Sequence, residues 1–238
     1  GPSEFGNYSM GYQLKYIAGS GGKFVWHTLI CAEECVLAFP QHEYRTSAEY
    51  IVNEIYRPIR RPHDYIARHN LLTETDLKHF VDCHTHEWYD RDSNEFYSTA
   101  VQDKPADIWL WHTDINRIKA WRAVFASANQ DTLDFTGSAE LPAVQNQLHK
   151  RKYAVGKLGR YHRVDWIWDR FDAPAYESLC ADCGLTPNVE SARLLHKEYH
   201  LCRQRLAKYW LHWYRDVHLP DLQQVARDLN THLLDLDE

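Results

Sequence analysis

The segment Tyr12-Gln13-Leu14-Lys15-Tyr16-Ile17-Ala18-Gly19-Ser20-Gly21-Gly22-Lys23-Phe24 constrains this chain more than any other. An apolar and aromatic run gives way to glycines, then to a lysine, then to helical periodicity. A strand that becomes a helix over glycines aims backbone N–H groups and the positive end of a helix dipole at one point. That corner suits a phosphate or sulfate, and it predicts an α/β chain. The nucleotide-triphosphate loop carries a glycine five residues before its Gly-Lys pair and a Ser or Thr after it. Here those places hold Ile17 and Phe24, so the hydroxyl that would hold magnesium is missing and ordinary kinase chemistry is disfavoured. A plain glycine turn is the other reading of the same residues.

The 238 residues are 44% apolar with a formal charge of −6, enough chain for a sizeable core. The acidic balance argues against a surface built to grip nucleic acid. Gly1 to Ser9 has the look of an expression scar and is set aside, which leaves 10–238 as one expected domain. No apolar run reaches the ~20 residues of a membrane span. With no signal pattern before Met10, the expectation is a soluble cytoplasmic protein.

Helical spacing is expected from Lys23 to about Leu37, stopped by Pro40, and again from Ser47 to Ile55. Arg57-Pro58-Ile59-Arg60-Arg61-Pro62 is expected to be extended. Thr73-Glu74-Thr75-Asp76 fits the cap of a short helix. Phe80–His84, Asp107–His112 and Val164–Trp168 read as strands, with helices over Asn116–Ala128, Pro174–Cys183, Asn188–Tyr214 and Asp221–Leu236. The polar stretch Asp131–Arg163 reads as a long surface loop or lid. Its basic run Lys150, Arg151, Lys152, Lys157, Arg160 and Arg163 suits either an anionic ligand or solvent. Strands alternating with helices predict a three-layer α/β domain with a central, mainly parallel sheet.

Six cysteines, at 31, 35, 83, 180, 183 and 202, form no evenly spaced framework, and reduced thiols are expected. Cys180-Ala181-Asp182-Cys183 has C-x-x-C spacing without a second such pair, which favours a structural role over metal or redox chemistry. Asp82-Cys83-His84-Thr85-His86-Glu87 is the main cluster of proton-transfer groups. His84 is the first choice of general base and His86 the second, sharing one face of a strand, while a chance cluster with no special role is the other reading in a chain of fifteen histidines. With His79 nearby, the same cluster could take a transition metal, but spacing supplies no third ligand.

Three segments in order resemble the sulfotransferase family, which uses 3′-phosphoadenosine 5′-phosphosulfate on a P-loop-like fold. The glycine corner occupies the place of the family's phosphosulfate loop, with Gly22 on the motif glycine, Ser20 where a basic residue usually stands, and Lys23 and Phe24 on two threonines. His112-Thr113-Asp114-Ile115-Asn116-Arg117-Ile118-Lys119-Ala120-Trp121 is similar to the family's strand-loop-helix for the 3′-phosphate. There His112 and Ala120 stand for the usual arginine and serine, and Arg117, Lys119 and Arg122 offer replacement charge. The unit from Val164 through Cys183-Gly184-Leu185-Thr186-Pro187 to His196 resembles the family's closing strand, helix and turn. The resemblance spans about Gln13 to Leu206.

It implies transfer of a sulfuryl group to a hydroxyl of a small molecule or saccharide, with no metal required. Gly19, Ser20, Gly21, Gly22, Lys23, Phe24, His112 and Arg117 would hold the donor. Lys23 would stabilise the leaving group, and His84 or His86 would take the acceptor's proton. Two alternatives stay open: a P-loop kinase or other nucleotide phosphotransferase, and a non-catalytic binding protein derived from the same fold.

Overall fold

The computed structural model describes residues 11–17, 20–69, 71–72, 81–90, 95–98, 107–112 and 159–214. Strands β1 (Tyr12–Ile17), β2 (Val81–Asp90), β3 (Glu95–Ser98), β4 (Asp107–Trp111) and β5 (Gly159–Arg163) form one sheet in the order β3-β2-β1-β4-β5. β1 lies at its centre, parallel to β2 on one side and β4 on the other, and β5 continues the parallel set. Only β3 runs antiparallel, as a partner of the far half of β2. This is an α/β fold. The chain leaves β1 for β2 in one direction and β4 for β5 in the other. The crevice between the carboxyl ends of β1 and β4 is therefore the topological switch point, where open α/β sheets take ligands.

Helix α1 (Gly22–Leu29) starts at that crevice. It is much shorter than its periodicity suggests. The backbone N–H of Glu33 donates to Thr186 O at 3.3 Å, and the Thr186 N–H donates to the Glu34 carboxylate at 2.8 Å. Those long-range bonds draw the chain after Leu29 into turns against the segment around Thr186. Helix α2 (Ser47–Ile51) is capped by Thr46, whose hydroxyl accepts from Glu49 N–H, and it runs on as a π-helical turn over Val52–Tyr56. The expected extended run after it fails at both ends. Arg57 stays right-handed helical (φ −63°, ψ −37°), its N–H donating to Val52 O, although a proline follows. Pro62 opens α3 (Pro62–His69) at a position where a missing N–H costs nothing.

Two further corrections fall near β5. Gly159–Arg163, read as part of a loop, is an edge strand tied to the end of α4 (Ala173–Asp182) through Arg160 and His162 on Asp182. Val164–Trp168, read as a strand, is a buried 3₁₀ turn over Asp165–Ile167. Its apolar residues are buried because α5 (Val189–Tyr214) packs on them. α4 ends as the sequence suggests: Gly184, at φ +66°, allows Leu185 N–H to reach Cys180 O at 2.9 Å. The expected cap at 73–76, the helices at 116–128 and 221–236, and the loop 131–158 lie outside the described residues.

The core runs from Leu14 and Tyr16 of β1 through Phe24, Val25 and Leu29 of α1. It continues into Ile51, Ile55 and Tyr56 and across to Tyr176, Leu195 and Tyr199. Among the described residues no helix is long and apolar enough to cross a membrane.

Candidate functional site

Ser20, Gly21, Gly22 and Lys23 form the corner between β1 and α1. Gly21 is the N-cap residue at φ +82°, a left-handed conformation that favours glycine. A Cβ on Gly21 would stand 2.4 Å from Ile167 Cδ1, and one on Gly22 would stand 2.1 Å from the Tyr16 ring. The glycines are thus required by packing from both sides. The N–H groups of Phe24 and Val25 return to Gly21 O at 3.1 and 3.2 Å. Those of Gly22 and Lys23, the first two of the helix, have no acceptor within it. Gly21 and Lys23 are half-buried, and the Lys23 ammonium lies 5.2 Å from the Trp26 ring centroid. Phe24 plays another part. It is fully buried and stacked on Tyr199, with centroids 4.1 Å apart.

His112, immediately after β4, meets this corner across the switch point. Its Nε2 donates to Ser20 O at 2.5 Å, its ring stacks on Trp168 at 4.1 Å, and its Nδ1 lies 3.5 Å from Asp165 Oδ1. Burial, the largest influence, holds its pKa below the ordinary histidine value, against the pull of Asp165 and the Ser20 carbonyl. Both Ser20 and His112 are 2% exposed, and two of their polar atoms, Ser20 Oγ and His112 Nδ1, make no hydrogen bond. Asp165 is gripped in turn by Arg163 Nε.

Several residues at the site are absent from the sequence reading. Arg203 of α5 is 6% exposed, donates to Ile167 O at 3.3 Å and lies over the Trp168 and Tyr199 rings. Its charge depresses the pKa of both His112 and His196. The available signal was an arginine on the same helical stripe as Leu195, Tyr199, Cys202 and Leu206, all buried. Lys15 is fully buried in the central strand, with its ammonium 5.2 Å from the Trp109 ring centroid. His196 Nε2 donates to Trp166 O at 2.8 Å, with His200 Nε2 3.0 Å away, and burial holds its pKa down to about 4.

The structure brings Ser20, Gly21, Gly22, Lys23 and His112 together. His84 and His86 lie on β2, with His86 paired to Tyr16 of β1. The register slips by one residue between Gln13 and Lys15. Gly19 and Arg117 lie outside the described residues.

Away from this corner, four more cysteines collect at the far end of α1. Cys35 is an electrostatic neighbour of Cys31, Cys180 and Cys183, and all four are buried. Desolvation pushes Cys180 up to about 11 and Cys35 and Cys183 up to about 12, so these thiols stay protonated. Among the described residues no group of three His, Cys, Asp or Glu side chains is placed to hold a metal ion. Comparison with known proteins finds no family model, no curated protein and no solved structure that matches this chain.

Proposed function

We propose that this chain is a sulfotransferase-like enzyme in a P-loop-like, three-layer variant of the α/β fold, acting in the cytoplasm. It would dock the phosphosulfate of 3′-phosphoadenosine 5′-phosphosulfate on Ser20–Lys23 and pass the sulfuryl group to a hydroxyl of a small molecule or saccharide. One observation carries the reading: the amino end of α1 opens at the switch point between β1 and β4, flanked by the cations Lys23 and Arg203.

In-line transfer places negative charge on the departing phosphate. The N–H groups of Gly22 and Lys23 and the Lys23 ammonium are the donors for that charge, and loss of one such oriented donor costs on the order of 3 kcal/mol in the barrier. The acceptor's proton passes to His84 or His86. With Phe24 committed to the core, the corner has no hydroxyl for a metal ion at the position where a kinase loop needs one. Sulfuryl transfer fits that better than Mg-dependent phosphotransfer. A second reading, a non-catalytic relative that binds a partner, draws on the packing of Tyr16 and Ile167, which explains both glycines without a ligand.

Titration calorimetry with adenosine 3′,5′-bisphosphate in metal-free buffer separates them. The transferase reading expects saturable binding, weakened at least tenfold by Lys23→Ala. No heat at millimolar nucleotide, from protein with a cooperative thermal transition, contradicts it.

A further inference from the structure

Three successive parallel strands, β1, β4 and β5, each deliver one polar residue just past their carboxyl ends: Ser20, His112 and Asp165. The ends of β4 and β5 are fixed to each other by Val164 N–H donating to Trp111 O at 2.9 Å. The three residues stand in a row. His112 Nε2 touches the backbone of Ser20, and His112 Nδ1 faces Asp165 at 3.5 Å. We propose that Ser20, His112 and Asp165 constitute a nucleophile, general base and positioning carboxylate for acyl transfer or hydrolysis of an ester. This inference does not rest on the nucleotide reading, since it needs only the serine corner.

The hydrogen-bond inventory supports it. At rest Nε2 donates to a carbonyl, which fixes the ring proton there and leaves Nδ1 bare toward Asp165, while Ser20 Oγ is buried without a partner. Moving the ring proton to Nδ1 and turning Oγ to Nε2 gives Nδ1–H a carboxylate acceptor and Oγ–H an imidazole acceptor. The rearrangement gives both orphaned atoms a partner in exchange for the single bond from Nε2 to the Ser20 carbonyl, and buried polar atoms are costly to leave unsatisfied. The result is the tautomer in which a serine–histidine–aspartate set works, and such sets are recognised by geometry and role, not chain order.

The local chain agrees. Ser20 stands immediately before Gly21 and Gly22 at the entry to α1, the place a nucleophile takes in a strand-to-helix elbow. Such elbows draw one oxyanion donor from the backbone N–H after the nucleophile, here that of Gly21, with the amino end of α1 behind it. Burial keeps the His112 imidazole neutral and able to accept a proton at pH 7. In the acylation step Oγ bonds to the acyl carbon and its proton goes to His112 Nε2. The ester C–O bond then breaks, and the leaving alkoxide takes that proton. Water reverses the sequence, releasing the acid and restoring Ser20.

An alkyl fluorophosphonate tests this, because Oγ attacks phosphorus, fluoride leaves, and the adduct is stable enough to map by mass spectrometry. The full chain is expected to label at Ser20, with a rate that rises with pH along one titrating limb. Ser20→Ala should abolish the adduct, and His112→Gln should slow labelling about 100-fold or more. Asp165→Asn, by removing the charge that favours the imidazolium, should also move the limb to lower pH, a shift that mere loosening of the turn does not produce. Folded wild-type protein that stays unlabelled, or labels equally after Ser20→Ala, overturns the proposal. Neither result bears on bisphosphate binding, which the calorimetry reads separately.

Discussion

The two ends of α1 are built from opposite materials. At the amino end, Ser20, His112, Asp165 and Arg203 bury polar and charged groups among Ile167, Trp168 and Tyr199, and Ser20 Oγ and His112 Nδ1 make no hydrogen bond. At the carboxyl end, Cys31, Cys35, Cys180 and Cys183 meet as protonated, apolar thiols, and the Thr28 carbonyl is satisfied by Tyr176 OH at 3.1 Å. Folding alone rewards the second arrangement. Under the proposed function, ligands or reacting atoms would satisfy the groups left unpaired in the first.

The largest expected effect comes from filling the corner. Gly22→Ala sets a methyl against the Tyr16 ring, and Gly21→Ala adds a left-handed φ to a clash with Ile167. Each should cost about 3 kcal/mol, visible as a lowered midpoint in urea. A small loss in both variants would mean that the corner is looser than its packing and would weaken the contrast.

The pH response comes next, with opposite signs at the two ends. His196 is held near 4, below its unfolded value of about 6.5, so the stability it lends as a neutral group is complete above pH 6.5 and drains as pH falls toward 4. That amounts to on the order of 3 kcal/mol. The thiols are raised from 9.0 to about 11 and 12, so their contribution is complete below pH 9 and drains as pH rises through that range. Proton exchange should therefore show acid opening the amino end of α1 first and alkali the carboxyl end first. Both ends opening together at one pH would contradict the division.

Smaller substitutions should differ in sign. Ser20→Ala removes an unsatisfied hydroxyl and should leave stability unchanged or raise it by about 1 kcal/mol. Cys180→Ala empties volume from a filled junction and should lower it by about 1–2 kcal/mol. Tyr176→Phe, which strips the Thr28 carbonyl of its donor, should cost about 1 kcal/mol. Chemical denaturation of the three variants gives the order directly.

Local pattern was enough for β1, β4, α4 and nearly all of α5, because their apolar spacing and caps lie in consecutive residues. It failed where distant partners decide. Glu34 on Thr186 ends α1 early, and the polar edge strand Gly159–Arg163 is defined by its pairing with β4. Trp166 and Ile167 look like a strand in one dimension and become a buried turn beneath α5 in three. The Ser20–Lys23 corner was visible in the glycines. Its neighbours Asp165, Trp168, Tyr199 and Arg203, more than 140 residues away in sequence, were not. Nor was the meeting of the two cysteine pairs.

The most direct test of the difference between the two ends is an amide NMR titration of the whole chain with adenosine 3′,5′-bisphosphate. The N–H signals of Gly21, Gly22 and Lys23 should move saturably while those of Glu33, Glu34 and Cys35 stay in place. Unmoved corner amides at saturating nucleotide, or equal shifts at both ends, would contradict the assignment of the amino end of α1 as the site that receives an anion.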